Sequence, residues 1–254
     1  MHHESGNKYY LNAPKIIAAC ALFITATGAF SQHNQCSVTS GEALNPVIEL
    51  FTSEGCSSCP PADKWVSSLK TGGAVVQAFH VGYWDYIGWV DRFAAPAYTQ
   101  RQWDIAAKNS LGSIYTPQVV RDGKDWPRWG GAVASQEPAR ASIVLKQLGV
   151  DQYEASVTPV SPTARWSAYW TVTEHGHKSK VLSGENKGEF LKHDFVVRQL
   201  VQAGDFNALG GNSQILKFRS IAATPGHERQ INVVVLETQT GKILQAVRLQ
   251  CSGV

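Results

Sequence analysis

Residues 47–63 read Val47-Ile-Glu-Leu-Phe-Thr-Ser-Glu-Gly-Cys-Ser-Ser-Cys-Pro-Pro-Ala-Asp63. The run Val47-Phe51 is apolar enough for a buried strand, and Pro60 to Leu69 carries Ala62, Val66 and Leu69 at helical spacing. Between them lies Cys56-Ser57-Ser58-Cys59. A helix N-terminus favours negative charge, so a thiolate placed there is a usable nucleophile. The i, i+3 spacing lets a second thiol attack the mixed disulfide formed by the first. Cys56, nearer the loop, is expected to attack and Cys59 to resolve. Pro60 and Pro61 lack an N–H, and Glu54 and Asp63 lie close by, so no extreme acidity is expected of either thiol. The same spacing also suits an inert local disulfide, or half of a metal site completed by other ligands.

Working outward, Val75-Val81 and Gln118-Arg121 read as further strands, and Pro96 to Asn109 as a helix. Asp122-Gly123 and Gly130-Gly131 mark turns around a short fourth strand, and Ser135 reads as the cap of a helix reaching about Leu148. Strands alternating with helices predict an α/β domain over residues 47–150. From 151 to 254 the period changes to two, in Tyr153-Val157, Trp166-Thr173, Gln214-Phe218, Gln230-Leu236 and Lys242-Leu249. This predicts a mainly-β, sandwich-like C-terminal part.

Upstream, Lys8 and Lys15 precede the apolar run Ile16 to Phe30, with small residues at Ala26-Thr27-Gly28-Ala29. Residues 1–31 therefore read as a secretory signal peptide, and 32–46 as a linker. The apolar run is 15 residues, short of the ~20 that a span needs. No stable membrane span is expected once the leader is removed, and the expected location is periplasmic or secreted. Of five cysteines, Cys20 leaves with the leader. With Cys56 and Cys59 paired, Cys36 and Cys251 are the partners left in an oxidising compartment, where a Cys36–Cys251 bridge would tie the two ends together; two free thiols or a bridge between chains are the alternatives.

Lys plus Arg number 23 against 20 for Asp plus Glu. That balance gives nucleic acid no electrostatic footprint. The chain has one Met, which excludes a Met-rich copper surface. No G-x-S-x-G elbow and no phosphate-cradling glycine loop is present, so hydrolase and nucleotide chemistry have no support. The rings Tyr83, Trp84, Tyr86 and Trp89 follow the second strand, where they either line a substrate groove, with Tyr83, Trp84 and Trp89 as its walls, or pack internally. His80, ending that strand, is either a core histidine or a third metal ligand beside Cys56 and Cys59.

The segment Phe51 to Asp63 resembles the signature of an exported bacterial family catalogued as domain of unknown function 1223. His80 to Trp89, Tyr115 to Val120, Gly184 to Gly188 and Val196-Val197-Arg198 also match it in order. The resemblance implies a thioredoxin-like first half, hence an α/β thioredoxin-like domain followed by the β-rich part, and no settled activity. In the wider thioredoxin pattern a cis-proline faces the cysteines, and Thr116-Pro117 fits that place. A buried carboxylate usually lies beneath them. Glu49 is the nearest candidate but is one residue out of register. Gly184-Glu185-Asn186 reads as a structural turn, and Arg198 as the partner of a carboxylate. The expected function is thiol–disulfide exchange on protein thiols or disulfides, with Cys56, Cys59, Thr116 and Pro117 as site residues, a redox partner protein and no organic cofactor. The alternatives are a copper-binding chaperone using Cys56, Cys59 and His80, and a non-catalytic binding module.

Overall fold

The computed structural model describes residues 1–3, 6, 36–160, 165–207 and 212–251. The predicted leader and most of the linker lie outside these residues. Among the described residues the first strands are β1 (Ser37–Thr39), β2 (Val47–Thr52) and, after helix α1 (Pro60–Ser67), β3 (Val75–His80). Helix α2 (Pro96–Lys108) leads to β4 (Gln118–Arg121) and β5 (Lys124–Asp125). Then come β6 (Ala141–Gly149), β7 (Gln152–Pro159), β8 (Arg165–Glu174), β9 (His177–Lys180) and β10 (Phe190–His193). The last are β11 (Val196–Asn207), β12 (Gln214–Arg219), β13 (Arg229–Glu237) and β14 (Ile243–Leu249).

Both helices begin with proline at the first turn, where its missing N–H costs nothing. They cover opposite faces of the β2–β3 region. Ile48 and Leu50 of β2 join Ala62 and Val66 of α1 in one apolar cluster, while Phe51 and Phe79 join Tyr98 and Ile105 of α2 in another. Burial on both faces is why β2 and β3 read as continuous apolar runs.

The expected α/β thioredoxin-like domain followed by a separate β-rich part is not what forms. Among the described residues there are fourteen strands and two α-helices. Strands from both halves share one eight-stranded sheet, ordered β14-β13-β8-β11-β3-β2-β4-β5. Only β2–β3 and β3–β11 are parallel in it. The junction is narrow: Val196 pairs with Ala78, and the Ala78 N–H donates to the Phe195 carbonyl at 2.8 Å. The free edge of β3 is therefore capped by β11, so the first half never closes its own sheet. A second sheet, β1-β6-β7-β12, packs its buried Ile143, Leu145, Ala155 and Val157 on Trp166, Val233, Val235 and Val247 of the large sheet.

The helix expected after Ser135 is also overturned, because Ala141–Gly149 is strand β6. Ala141, Ile143 and Leu145 are buried while Ser142 is exposed, a period of two that a helix cannot satisfy. Strands β9 and β10 form a separate hairpin lying against α1. No helix among the described residues is long and apolar enough to cross a membrane.

Candidate functional site

The chain leaves β2 at Thr52 and turns twice before α1. Cys56 N–H donates to the Ser53 carbonyl at 3.1 Å, and Cys59 N–H to the Cys56 carbonyl at 3.2 Å. Cys56 and Cys59 are joined by a disulfide, with Cα atoms 5.5 Å apart. Cys59 is fully buried, Cys56 retains 2% exposure, and Ser57 and Ser58 stand in solvent. Cys59 is the N-cap residue and makes no side-chain capping bond. Prolines fill the next two positions, and the N–H groups of Ala62 and Asp63 both return to the Cys59 carbonyl. The helix thus offers the sulfurs its dipole but few free donors.

A segment far along the chain grips this loop. Asn186 Nδ2 donates to the carbonyls of Glu54 at 2.8 Å and Cys56 at 3.0 Å. Glu185 Oε2 accepts from the Ser57 N–H at 3.0 Å, and the Ser57 hydroxyl together with that N–H holds its carboxyl below the usual range. Gly184 makes the approach possible. Its φ is +74°, and a Cβ there would lie 3.3 Å from Trp89 Cβ. The segment read as a structural turn is therefore part of the cysteine site.

Beneath the loop lies a buried group of acids and imidazoles. Glu54 accepts from Trp89 Nε1 at 2.8 Å and sits 3.3 Å from His193 Nε2. The other ring nitrogen of His193 is 3.7 Å from Asp63, which also accepts from the Thr52 hydroxyl at 3.0 Å. His80 Nδ1 donates to Asp91 at 2.6 Å, and Asp91 further accepts from the N–H groups of Glu54 and Phe93. Burial pushes the Glu54 and Asp91 carboxyls up, but bonds from His193, Ser179 and Trp89 together outweigh it for Glu54, and the charge and bond of His80 with the Glu54 and Phe93 N–H groups outweigh it for Asp91, so both end low. Burial draws the His193 imidazole down; Asp63 and Glu54 reverse this and raise it to about 9. The sequence named Glu54, Asp63 and His80. It missed His193, a single histidine in a four-residue strand with no local pattern around it. Glu49 faces elsewhere, paired with Arg101 at 2.6 Å.

The structure groups His80 with Asp63 and His193, while Cys56 and Cys59 are bonded to each other. The Thr116–Pro117 peptide is cis. The antiparallel pairing of Phe51 with Gln118 puts it at the end of β2 from which the cysteine loop departs. Trp84 links the two, donating from Nε1 to Thr116 Oγ1 at 2.7 Å while its Cβ packs on Gly55. Tyr83, Trp84 and Trp89 are half-buried; Tyr86 is exposed. Cys36 and Cys251 are also bridged, with Cα atoms 5.9 Å apart. Arg198 lies 3.3 Å from Glu174, as its carboxylate partner.

The profile of a family described as "Protein of unknown function (DUF1223)" matches residues 47–236. The chain belongs to this family. The matched span holds Cys56, Cys59, Asn186 and His193 together. Two solved structures share the fold of this DUF1223 chain. One is protein AGR_C_4864 from Agrobacterium tumefaciens, with a TM-score of 0.62 and 20% identity, covering 83% of this chain and 96% of that one. The other is HBP35 of Porphyromonas gingivalis, with a TM-score of 0.57 and 14% identity, covering 82% and 76%. No curated protein matches the chain.

Proposed function

We propose that the chain is an exported thiol–disulfide exchange protein working through Cys56 and Cys59. The observation that carries this reading is the asymmetry of the pair. The two cysteines are bonded across the start of α1, and only Cys56 retains any surface. An incoming thiolate or disulfide can therefore meet only one sulfur, as sequential exchange requires. The half-buried Thr116-Pro117 segment at the same strand end offers a wall for a protein substrate. The leader sequence and the Cys36–Cys251 bridge support an export route to the periplasm or beyond.

In the reducing direction, the Cys56 thiolate attacks a substrate disulfide. The substrate S–S bond breaks, one substrate thiolate leaves and takes up a proton, and a mixed disulfide forms. The Cys59 thiolate then attacks Cys56 Sγ, releasing the second substrate thiol and closing Cys56–Cys59. Two electrons pass to the substrate, and an external dithiol protein must restore them.

Direction follows from the surroundings. Glu54, Asp63 and Glu185 bracket the loop, and the two prolines withhold donors. All of these disfavour a thiolate relative to the disulfide. Such a pair sits toward the reducing end of a scale running from about −270 mV to about −120 mV. Equilibration of the purified protein with glutathione buffers, read by alkylation and mass spectrometry, tests this. A reversible two-electron potential nearer the reducing end supports the reading. A pair that never exchanges with glutathione removes it.

A further inference from the structure

The acids and imidazoles under the cysteine loop also form a compact set of potential metal ligands. The donor atoms of Asp63, His80 and His193 all lie within 4.8 Å of one another, and all three residues are buried. Nδ1 of His80 is fixed by Asp91 at 2.6 Å, which leaves Nε2 as the free, lone-pair nitrogen. That atom is fully buried and has no hydrogen-bond partner among the described residues. A carboxylate orienting one imidazole nitrogen so that the other meets a metal is a recurrent arrangement in metal sites. His193 and Glu54 Oε1 also lack formed hydrogen bonds. Their separation of 3.3 Å, and the 3.7 Å from His193 to Asp63, exceed the about 2.7–2.9 Å of a charge-assisted hydrogen bond. The 3.7 Å from His193 Nδ1 to Asp63 is close to the spacing of two ligands on one tetrahedral ion, about 3.3–3.6 Å for bonds of about 2.0–2.2 Å, while Glu54 faces the opposite ring nitrogen, Nε2, and is placed to orient His193 as Asp91 orients His80.

The charge points the same way. Glu54, Asp63 and Asp91 set three carboxylates around two imidazoles, and while the rings are neutral those three charges have no counter-charge in the cluster. A buried charge left uncompensated is costly, and a divalent cation held on neutral rings offsets two of the three. We propose that Asp63, His80 and His193 bind a zinc-like divalent ion beneath the cysteine loop, with Glu54 and Asp91 as the carboxylates that orient the two imidazoles. The set of imidazoles and carboxylates suits zinc and its cobalt surrogate. The site is separate from the sulfurs and goes beyond the exchange chemistry proposed for them.

The test uses the purified chain, stripped with chelator, then titrated with Co2+ and with Zn2+. The expected result is one tight equivalent, with the visible bands of tetrahedral Co2+ and no sulfur-to-cobalt charge transfer. Cys56→Ser/Cys59→Ser should bind as the unaltered chain does. His193→Gln should bind more than 100-fold more weakly, and Asp91→Asn, which touches no ion, about 10–100-fold more weakly. Asp91→Asn also serves if His193→Gln fails to fold, as judged by circular dichroism. Failure of the unaltered chain to bind either ion stoichiometrically overturns the proposal. So does binding that disappears in the cysteine variant, or binding untouched by both His193→Gln and Asp91→Asn. Loss of thiol exchange with metal binding intact would count against the function proposed for the cysteines and not against this site.

Discussion

Asn186 donates its side-chain amide to the Cys56 carbonyl at 3.0 Å across 130 residues of sequence, and to the Glu54 carbonyl at 2.8 Å. One buried amide thus fixes both sides of the loop carrying Cys56. Asn186→Ala leaves two carbonyls short of a donor. The expected loss is about 1–3 kcal/mol in denaturant unfolding, with Cys56 more quickly alkylated in the reduced protein. Asn186→Asp sets a carboxylate against two carbonyls and should lose more. Equal behaviour of the Ala and Asp variants would show that the amide is not a donor here.

Gly55 is the second support of that loop. An added Cβ would lie 3.0 Å from Trp84 Cβ, at the tight limit of real Cβ contacts. Gly55→Ala should therefore cost about 1–3 kcal/mol as overpacking. Trp84→Gly removes that Cβ along with the Thr116 hydrogen bond. In the double variant the penalty of Gly55→Ala should largely vanish, giving a coupling energy that a double-mutant cycle measures. Additive effects would mean that Gly55 is needed for some other reason.

Local signals in the chain are good guides to its elements, and long-range ones are not. Proline at the first turn bounds α1 and α2 from the sequence, and the apolar runs of β2 and β3 are plain because both faces are covered. Ser135 with Glu137 mimics a helix start, and this masks the period-two burial of Ala141, Ile143 and Leu145. Nothing in Val196-Val197 announces that Val196 will pair in parallel with Ala78, and that one pairing joins the two halves into a single sheet. The site divides in the same way. Cys56 and Cys59 stand out by spacing, while His193 reaches Glu54 and Asp63 only because the β9–β10 hairpin lies on α1.

The Arg198–Glu174 pair gives an acid signature. Burial raises the Glu174 carboxyl, but bonds from His177 and Thr224 and the charge of Arg198 pull it down to about 2. A carboxyl that is more acidic folded than unfolded adds stability above its unfolded value of 4.5. That stability is lost as pH falls from there through about 2. Unfolding midpoints should therefore fall over this interval more steeply in the unaltered chain than in Glu174→Gln. Parallel curves would remove Glu174 as a cause.

Cys36 and Cys251 are bonded across a sequence separation of 215. Cys36 precedes β1 and Cys251 follows β14, so the bridge fastens the edge of the small sheet to the end of the large one. A bridge restrains the unfolded chain more as its loop grows, and for a loop of this length the chain-entropy estimate is about 5 kcal/mol. That figure is a ceiling, since residual structure in the unfolded chain lowers it. Replacing both residues by serine should therefore lower unfolding stability by up to this amount while leaving the Cys56–Cys59 potential unchanged, because neither residue touches that loop. A non-reducing digest of the unaltered chain should yield one peptide pair joining Cys36 to Cys251. A Cys36–Cys36 cross-link between chains, or two free thiols with unaltered stability in the serine variant, would show that the ends are held by strand pairing alone.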